Sequence, residues 1–520
     1  MPNILEMLQN SGGRAEMRTS AGARPWSEIL TMASRAAGWI AGHGRVVAIV
    51  TSNDHESAAV IVGGLLSGGS VISLQTPHRG QSIEQYMKYL TATMQVCGAE
   101  FLIVEPEMVA VLEGSQIRVV SSLEVCSFTG GACSDGGGSL IQYSSGATGA
   151  PKGIKLSCEH IGANVLSTGD GIPDGPWSSW LPMSHDFGLI GALLLPWSKG
   201  EHLLLRTPQE FVRDPLLWLR DIHDHQSVNT TVPSFALDMA VKRLDIDTTF
   251  SGSLDSLRMI AIGGEMVRPN TLRRFQERLT TRGLRDGVLC PGYGMAEAVL
   301  AVCHTEFGTQ WKSVYVNSES MYSGVLEPHG GLEYGKDRGA TPPGFVELVS
   351  NGEPMHGFSI TPNAHGVLQI DGPSVFSGYT GEAPHTGAFN SKDVGVVVEG
   401  EVCLAGRADE VIVVRGRNLY PHDLELLCEA FVRAGNAAAV ADGNGGLALV
   451  IESDSLDHRS VATQVRKVVS QGTGVSSSVV AVVERGSLLK TPSGKLKRRE
   501  IGLRLADGQL PVLFALKSRE

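Results

Sequence analysis

The sequence predicts an α/β protein: a large N-terminal unit of helix-covered sheets, closed by a small β-rich region, and then a smaller α+β unit. Three observations carry this. Strand-length apolar runs (Val46 to Val50, Phe101 to Val104, Leu140 to Tyr143, Met259 to Ile262) alternate with stretches of helical spacing such as Trp26 to Ile40, the pattern of parallel sheets covered by helices. From about Phe345 the texture changes to short strands and glycine turns, FVELV, GVLQI, VGVVV and EVCLAG. The remaining stretch has its own pattern, with Leu424 to Phe431 helical and Leu447 to Ile451 a strand. At roughly 110 residues it is long enough for a domain of its own. The expected division is residues 1–408 and 409–520, with the boundary at Asp409.

A chain of 520 residues exceeds one ordinary core, so two or more domains are expected. The composition, 42% hydrophobic and 19% charged, is that of a globular protein. A net charge of -11 argues against a nucleic-acid partner, which needs a basic surface. The eight cysteines are scattered, without a CxxC pair, as expected in a reducing compartment. The most membrane-like run, Ala58 to Leu74, contains four glycines and three serines and reads as a buried helix, a turn and a strand rather than a span. With no basic stretch leading into an apolar run at the N-terminus, the expected location is cytoplasmic.

Four stretches carry chemistry. In LIQYSSGATGAPKGIKLS, Leu140 to Ser157, a strand enters a loop of serine, glycine and threonine that ends in Lys152. Small residues let backbone N–H groups approach phosphate oxygens, and a lysine adds charge. The spacing is not that of a P-loop, and a plain surface loop is the alternative. In LCPGYGMAEAVL, Leu289 to Leu300, a glycine-flanked tyrosine precedes Glu297 by four residues. The aromatic can stack on a base and the carboxylate can hold magnesium, although most Tyr-Gly loops are structural. GRADEVIVVRGRNLYPHDLE, Gly406 to Glu425, reads as a solvated connection or an interdomain hinge. LLKTPSGKLKRREI, Leu488 to Ile501, reads as a basic surface or as a lysine on a turn that reaches a phosphate site.

In sequence order these four stretches resemble the signature segments of the adenylate-forming (ANL) superfamily: acyl-CoA synthetases, peptide-synthetase adenylation domains and luciferases. The resemblance spans about residues 26 to 501. SWLPMSHDFGL (Ser179 to Leu189), FVRDPLLWL, RPNTLRRF, PGYGMAEA and RGRNLYPHDLE look most like the fatty acyl-AMP ligase branch. The stretch from Phe307 to Pro343 is long enough for that branch's insertion.

The resemblance implies ATP-dependent activation of a fatty or aryl acid to acyl-AMP, with release of pyrophosphate and transfer to a thiol or amine acceptor in fatty-acid or natural-product biosynthesis. It implies that Ser144, Ser145, Gly146, Thr148, Gly149 and Lys152 cradle the ATP phosphates. Gly264, Glu265, Gly292, Tyr293 and Gly294 would bound the adenine, and Glu297 would hold magnesium. Asp393, with Arg407 assisting, would meet the ribose, and Asp409 would be the hinge of a mobile C-terminal domain. Lys495 would contact the acyl carboxylate and α-phosphate, and Trp180, Met183, His185, Phe187 and Phe235 would line the acyl pocket. His185-Asp186 also offers a catalytic pair, with a packed wall residue as the alternative. His223-Asp224-His225 has no third ligand at a recognisable spacing and reads as helix surface. The acceptor would be CoA or a carrier-protein phosphopantetheine.

Three departures stand against the pattern, one of them Ala296, which replaces the threonine common in acyl-CoA synthetases although acyl-AMP ligases often have alanine there. Asn390-Ser391-Lys392-Asp393 replaces an Arg/Thr/Gly/Asp stretch, and Ala147 stands where a hydroxyl residue is usual. Loss of one positioned donor typically costs a few kcal/mol in the transition state, which leaves room for slow adenylation. An acyl-CoA ligase is therefore the alternative, including one that performs only thioester formation from pre-formed acyl-AMP. A non-catalytic binder has no need of Lys152, Glu297, Asp393 and Lys495 together, and no GxSxG elbow supports a serine hydrolase.

Overall fold

Strands buried on both faces need continuous apolar runs, and the runs named above become the centre of two sheets. The computed structural model describes residues 3–11, 13–77, 82–130, 137–143, 152–247, 249–339, 341–429, 431–432, 436–490 and 495–518. One sheet has six strands in the order Val119–Ser121, Phe101–Val104, Val46–Val50, Ser70–Leu74, Ser139–Tyr143 and Gly153–Ser157. All neighbours are parallel except the last pair. The second sheet contains a parallel run of Leu289–Gly294, Met259–Ile262, Asn229–Val232, Trp177–Ser179, Leu203–Leu205 and Glu16–Thr19, with antiparallel strands at both edges.

The membrane-like run is the helix His55–Leu66, a turn, and the strand Ser70–Leu74. The helix packs against Trp26–His43, and its Gly63 is what permits the approach. A Cβ there would lie 2.7 Å from the Ala33 carbonyl oxygen. Among the described residues no helix is long and apolar enough to cross a membrane.

Beyond the parallel sheets, Lys312–Asn317, Pro328–Tyr334 and Phe345–Val349 form a three-stranded sheet, with the helix Ser318–Tyr322 between its first two strands. Ser359–Pro362, Val367–Asp371, Phe389–Val398 and Glu401–Arg407 form a four-stranded antiparallel sheet. The short β segments expected from about Phe345 are Phe345–Val349 and this four-stranded sheet, whereas Lys312–Asn317 and Pro328–Tyr334 precede it.

The C-terminal sheet is Ala437–Ala441, Leu447–Glu452, Val479–Val483 and Val512–Lys517, accompanied by the helices Pro421–Cys428, His458–Thr473 and Arg498–Ala506. The first of these helices starts before the expected Leu424 and stops before Phe431. Proline is favoured in a first turn, where its missing N–H has no partner to lose, and Pro421 takes that place. The core of this region includes Tyr322 from the inserted helix. Glu319 beside it accepts two 2.7 Å hydrogen bonds from Arg417. Asp409 lies in the turn between Glu401–Arg407 and Ile412–Val414. His223 anchors a loop rather than a metal, its Nδ1 lying 3.1 Å from the backbone N–H of Ser253.

Candidate active site

Parallel strands deliver the residues that follow them to one edge of a sheet, and in α/β folds ligands bind at that carboxyl edge. Here both sheets aim that edge into a single cavity of about 2900 Å³. Trp177–Ser179 leads to Trp180, Asn229–Val232 to Phe235, Met259–Ile262 to Gly264 and Glu265, and Leu289–Gly294 to Glu297. Ser139–Tyr143 leads to the phosphate-type loop. Ser144, Ser145, Gly146, Ala147, Thr148 and Gly149 lie outside the described residues, and Lys152, which follows, lines the cavity.

Glycine is required at two points of the cavity wall. Gly264 has φ +78°, in the left-handed region that suits glycine, and at Gly294 a Cβ would collide with the Leu300 carbonyl oxygen. Glu265, expected against the adenine, uses Oε1 to accept the backbone N–H of Phe235 at 2.6 Å. It thereby caps the helix Ser234–Ile246 at its first turn. Burial raises its carboxyl above the usual range, against the pull of that N–H, Arg268 and Lys495.

Tyr293 is buried, and its hydroxyl donates to Asp393 Oδ2 at 2.6 Å. Asp393 faces Arg407 across the antiparallel pair Phe389–Val398 and Glu401–Arg407, with Arg407 Nη1 3.3 Å from Asp393 Oδ1. Burial raises the Asp393 carboxyl, and Arg407, Tyr293 and Lys495 only partly offset it. Arg407 Nε also donates to Asp409 Oδ1 at 3.0 Å, so the expected ribose and hinge residues share one guanidinium.

Glu297 sits on the short 3-10 turn Ala296–Ala298, and its Oε1 accepts the Tyr379 hydroxyl at 2.9 Å. Magnesium is usually held by one or two carboxylates plus phosphate oxygens and water, not by a protein cage. Glu297 lines the cavity and is joined through Tyr379 to Lys152, whose ammonium stands over the tyrosine ring, so it fits that description; among the described residues no group of three or more metal-ligating side chains gathers.

Lys495 lines the same cavity. Its charge pulls down the carboxyls of Asp186, Glu265 and Asp393, which places it among the acyl-pocket, adenine and ribose candidates together. His185 Nδ1 lies 2.5 Å from Asp186 Oδ1. Burial works to raise the Asp186 carboxyl, but His185 and Lys495 hold it below the usual range.

The apolar side is built on aromatics. Trp180 stacks on Phe211 with centroids 3.8 Å apart and meets Phe235 edge-on at 6.1 Å. Trp180, Phe187 and Phe235 line the cavity. Met183 does not join them; it is packed in the core. Its N–H donates to Asn53 Oδ1 and its carbonyl accepts from the Ser73 hydroxyl, both at 3.1 Å, which pins that stretch inward.

Asn53 is a positioning residue that the motif reading missed. Its amide also donates to the Leu181 carbonyl at 2.9 Å, fixing the segment that carries Trp180. A polar Thr-Ser-Asn-Asp directly after the strand Val46–Val50 was the available signal. Tyr379 and Glu382 were missed too. Their signal was a glycine-flanked aromatic, Gly378-Tyr379, resembling Gly292-Tyr293.

The model of the AMP-binding enzyme family matches residues 14–380 of this chain, well over half of it. The chain belongs to the AMP-binding enzymes. This adenylate-forming ligase family activates carboxylic acids as acyl-AMP at the expense of ATP. Among AMP-binding enzymes, it is 30% identical over 404 residues to the long-chain-fatty-acid–AMP ligase FadD26 of Mycobacterium tuberculosis, covering 70% of this chain and 68% of that one. It is 29% identical over 402 residues to the 4-hydroxyphenylalkanoate adenylyltransferase of Mycobacterium tuberculosis, covering 69% and 64%. A solved structure from work on fatty acyl-adenylate ligases of E. coli and L. pneumophila superposes with a TM-score of 0.87 at 22% identity, covering 98% of both chains. At that identity the likeness shows a common fold.

Proposed function

We propose that this AMP-binding enzyme activates a fatty or aryl-alkanoic acid with ATP and magnesium, forming acyl-AMP and pyrophosphate, and passes the acyl group to a phosphopantetheine thiol of a carrier protein or to CoA. The observation that carries this is one cavity lined both by the aromatics Trp180, Phe187 and Phe235 and by the polar group Lys152, Glu297, Asp393, Arg407 and Lys495.

The chemistry follows from charge. A carboxylate that attacks the α-phosphate brings two anions together, so the site must supply cations and positioned donors. Lys495, whose field reaches the acyl-pocket side at Asp186 and the ribose side at Asp393, would hold the acyl carboxylate against the α-phosphate. Ser144, Ser145, Gly146, Thr148, Gly149 and Lys152 would hold the β- and γ-phosphates. Bound magnesium, with Glu297 as its protein ligand, supplies further neutralisation of phosphate charge. Gly264, Gly292 and Gly294 would flank the adenine, and Asp393 would accept from the ribose hydroxyls with Tyr293 and Arg407 holding it in place. His185 fits the role of an acyl-pocket wall residue, because its Nδ1 is turned to Asp186.

We assign residues 1–408 to substrate binding and 409–520 to a lobe that turns about Asp409, withdrawing Lys495 for the transfer step. The seven described cysteines are free, in keeping with a cytoplasmic setting.

The test is incubation with ATP, magnesium and a panel of fatty and aryl acids, with and without CoA, and mass spectrometry of the products. Acyl-AMP that accumulates regardless of CoA is the expected result. Acyl-CoA formation would identify CoA as the acceptor. Thioester formed only from supplied acyl-AMP would reduce the activity to the second half-reaction. No acyl product from any of these would refute the proposal.

A further inference from the structure

Lys152 is already engaged. Its ammonium donates to Glu382 Oε1 at 2.6 Å and stands over the Tyr379 ring, 4.7 Å from the centroid. The same tyrosine gives its hydroxyl to Glu297. The segment carrying both is fastened behind the cavity. The Phe376 N–H donates to the Glu297 carbonyl at 2.7 Å, and the Thr380 N–H to the Gly153 carbonyl at 2.8 Å. Tyr379 also forms an isolated bridge with Ile154, in the strand that begins just after Lys152. Phe376 to Glu382 is thus a strap that touches the phosphate lysine and the magnesium carboxylate at once.

Glu382 is an odd residue to meet there, since a carboxylate beside a polyphosphate site repels its ligand. We propose that Glu382 is an internal competitor for Lys152: it holds the ammonium when the site is empty, yields it when ATP binds, and takes it back as pyrophosphate leaves. This rests on Lys152 facing the pyrophosphate end of ATP. The pair suits an exchange because it is half open to solvent, with Lys152 53% and Glu382 49% exposed. Such pairs are weak, and a phosphate group carrying more than one charge displaces a single carboxylate from them. The Tyr379 ring gives the ammonium a fixed shelf during the exchange. The consequence is weaker retention of pyrophosphate than the lysine alone would give, which speeds its release.

The distinguishing feature is the sign. A merely structural Glu382 would weaken ligand binding when replaced, whereas a competitor strengthens it. Inorganic pyrophosphate is titrated calorimetrically into the full chain at fixed magnesium and ionic strength. Glu382→Gln and Glu382→Ala are each expected to tighten pyrophosphate about two- to fivefold, the range of an exposed ion pair. Lys152→Met is expected to weaken it and to erase most of the gain from Glu382→Gln. Unchanged or weaker binding in both Glu382 variants, with Lys152→Met still harmful, overturns the competition and leaves the phosphate role of Lys152 standing. Equal tightening with and without Lys152 also overturns it, because Glu382 would then act as bulk charge. If Lys152→Met leaves pyrophosphate binding unchanged, the phosphate reading fails and the competition fails with it.

Discussion

Arg498 ties Lys495 to the rest of the C-terminal lobe. It lies three residues beyond the lysine, and its Nε and Nη2 each donate to Glu425 at 2.8 Å while Nη1 donates to Glu410 at 2.7 Å. The Glu425 side chain is 3% exposed and that of Glu410 is 19% exposed. Replacing Arg498 with Met leaves a carboxylate stranded in the interior, a change that costs about 3–5 kcal/mol when one partner of a buried pair is removed. The seven tryptophans, at 26, 39, 177, 180, 197, 218 and 311, all precede this lobe in the sequence, so their fluorescence reports chiefly on the larger N-terminal part. The assay is hydrogen exchange of peptides spanning Ala437–Ala441, Leu447–Glu452 and Val479–Val483. Protection there should fall by about two to four orders of magnitude, with the tryptophan-reported unfolding midpoint nearly unchanged. Adding Glu425→Gln should restore most of the protection, because the amide oxygen still accepts the Ala439 N–H now bound by Glu425 Oε1. Loss of protection by less than tenfold in Arg498→Met, or no recovery in the double variant, would refute the stranded-charge argument.

Three other outcomes follow from the same geometry. Gly294→Ala forces the Leu300 carbonyl aside and disturbs its 2.8 Å bond from the Met295 N–H; overpacking plus a weakened hydrogen bond should cost about 2–4 kcal/mol in denaturant unfolding. Displacement of the adjoining Glu297 turn should also cost about 100-fold in acyl-AMP formation. Lys495→Ala should suppress acyl-AMP formation far more than thioester formation from supplied acyl-AMP, and equal losses would refute the division of labour. Asp423 is buried with an unpartnered Oδ2, and burial pushes its carboxyl up to about 7. Because the folded state favours its protonated form, the stability it contributes is complete below about pH 4, drains away as pH rises to about 7, and stays lost above. Urea unfolding from pH 4 to 8 should show that decline, and Asp423→Asn should flatten it.

The strands were legible because burial on both faces demands uninterrupted apolar residues, which Val46–Val50 and Met259–Ile262 supply. Local chemistry was legible as well: Gly264 takes the left-handed backbone that suits glycine, Gly294 ends its strand against the Leu300 carbonyl, and Lys152 lines the cavity. Pairings across long sequence distance were not. Nothing near Tyr293 announces that its hydroxyl belongs to Asp393, and nothing near Glu265 announces the N–H of Phe235. Met183 was misplaced for a related reason, since its direction is set by Asn53 and Ser73, residues more than a hundred positions earlier. Such contacts are products of topology, not of spacing.

The dispersal of the cavity along the chain also shapes how the protein is made. Its aromatic wall is complete once Phe235 has been synthesised, yet Lys495 is added 343 residues after Lys152. At a ribosomal rate of about 5–20 residues per second, the nascent chain carries Lys152 for roughly 17 to 70 seconds before the last charged partner exists. During that interval an open aromatic trough faces the cell without the lobe that covers it, inviting chaperones and early aggregation. Anything that slows translation between Phe235 and Lys495 should lower the yield of folded enzyme without altering the enzyme that survives.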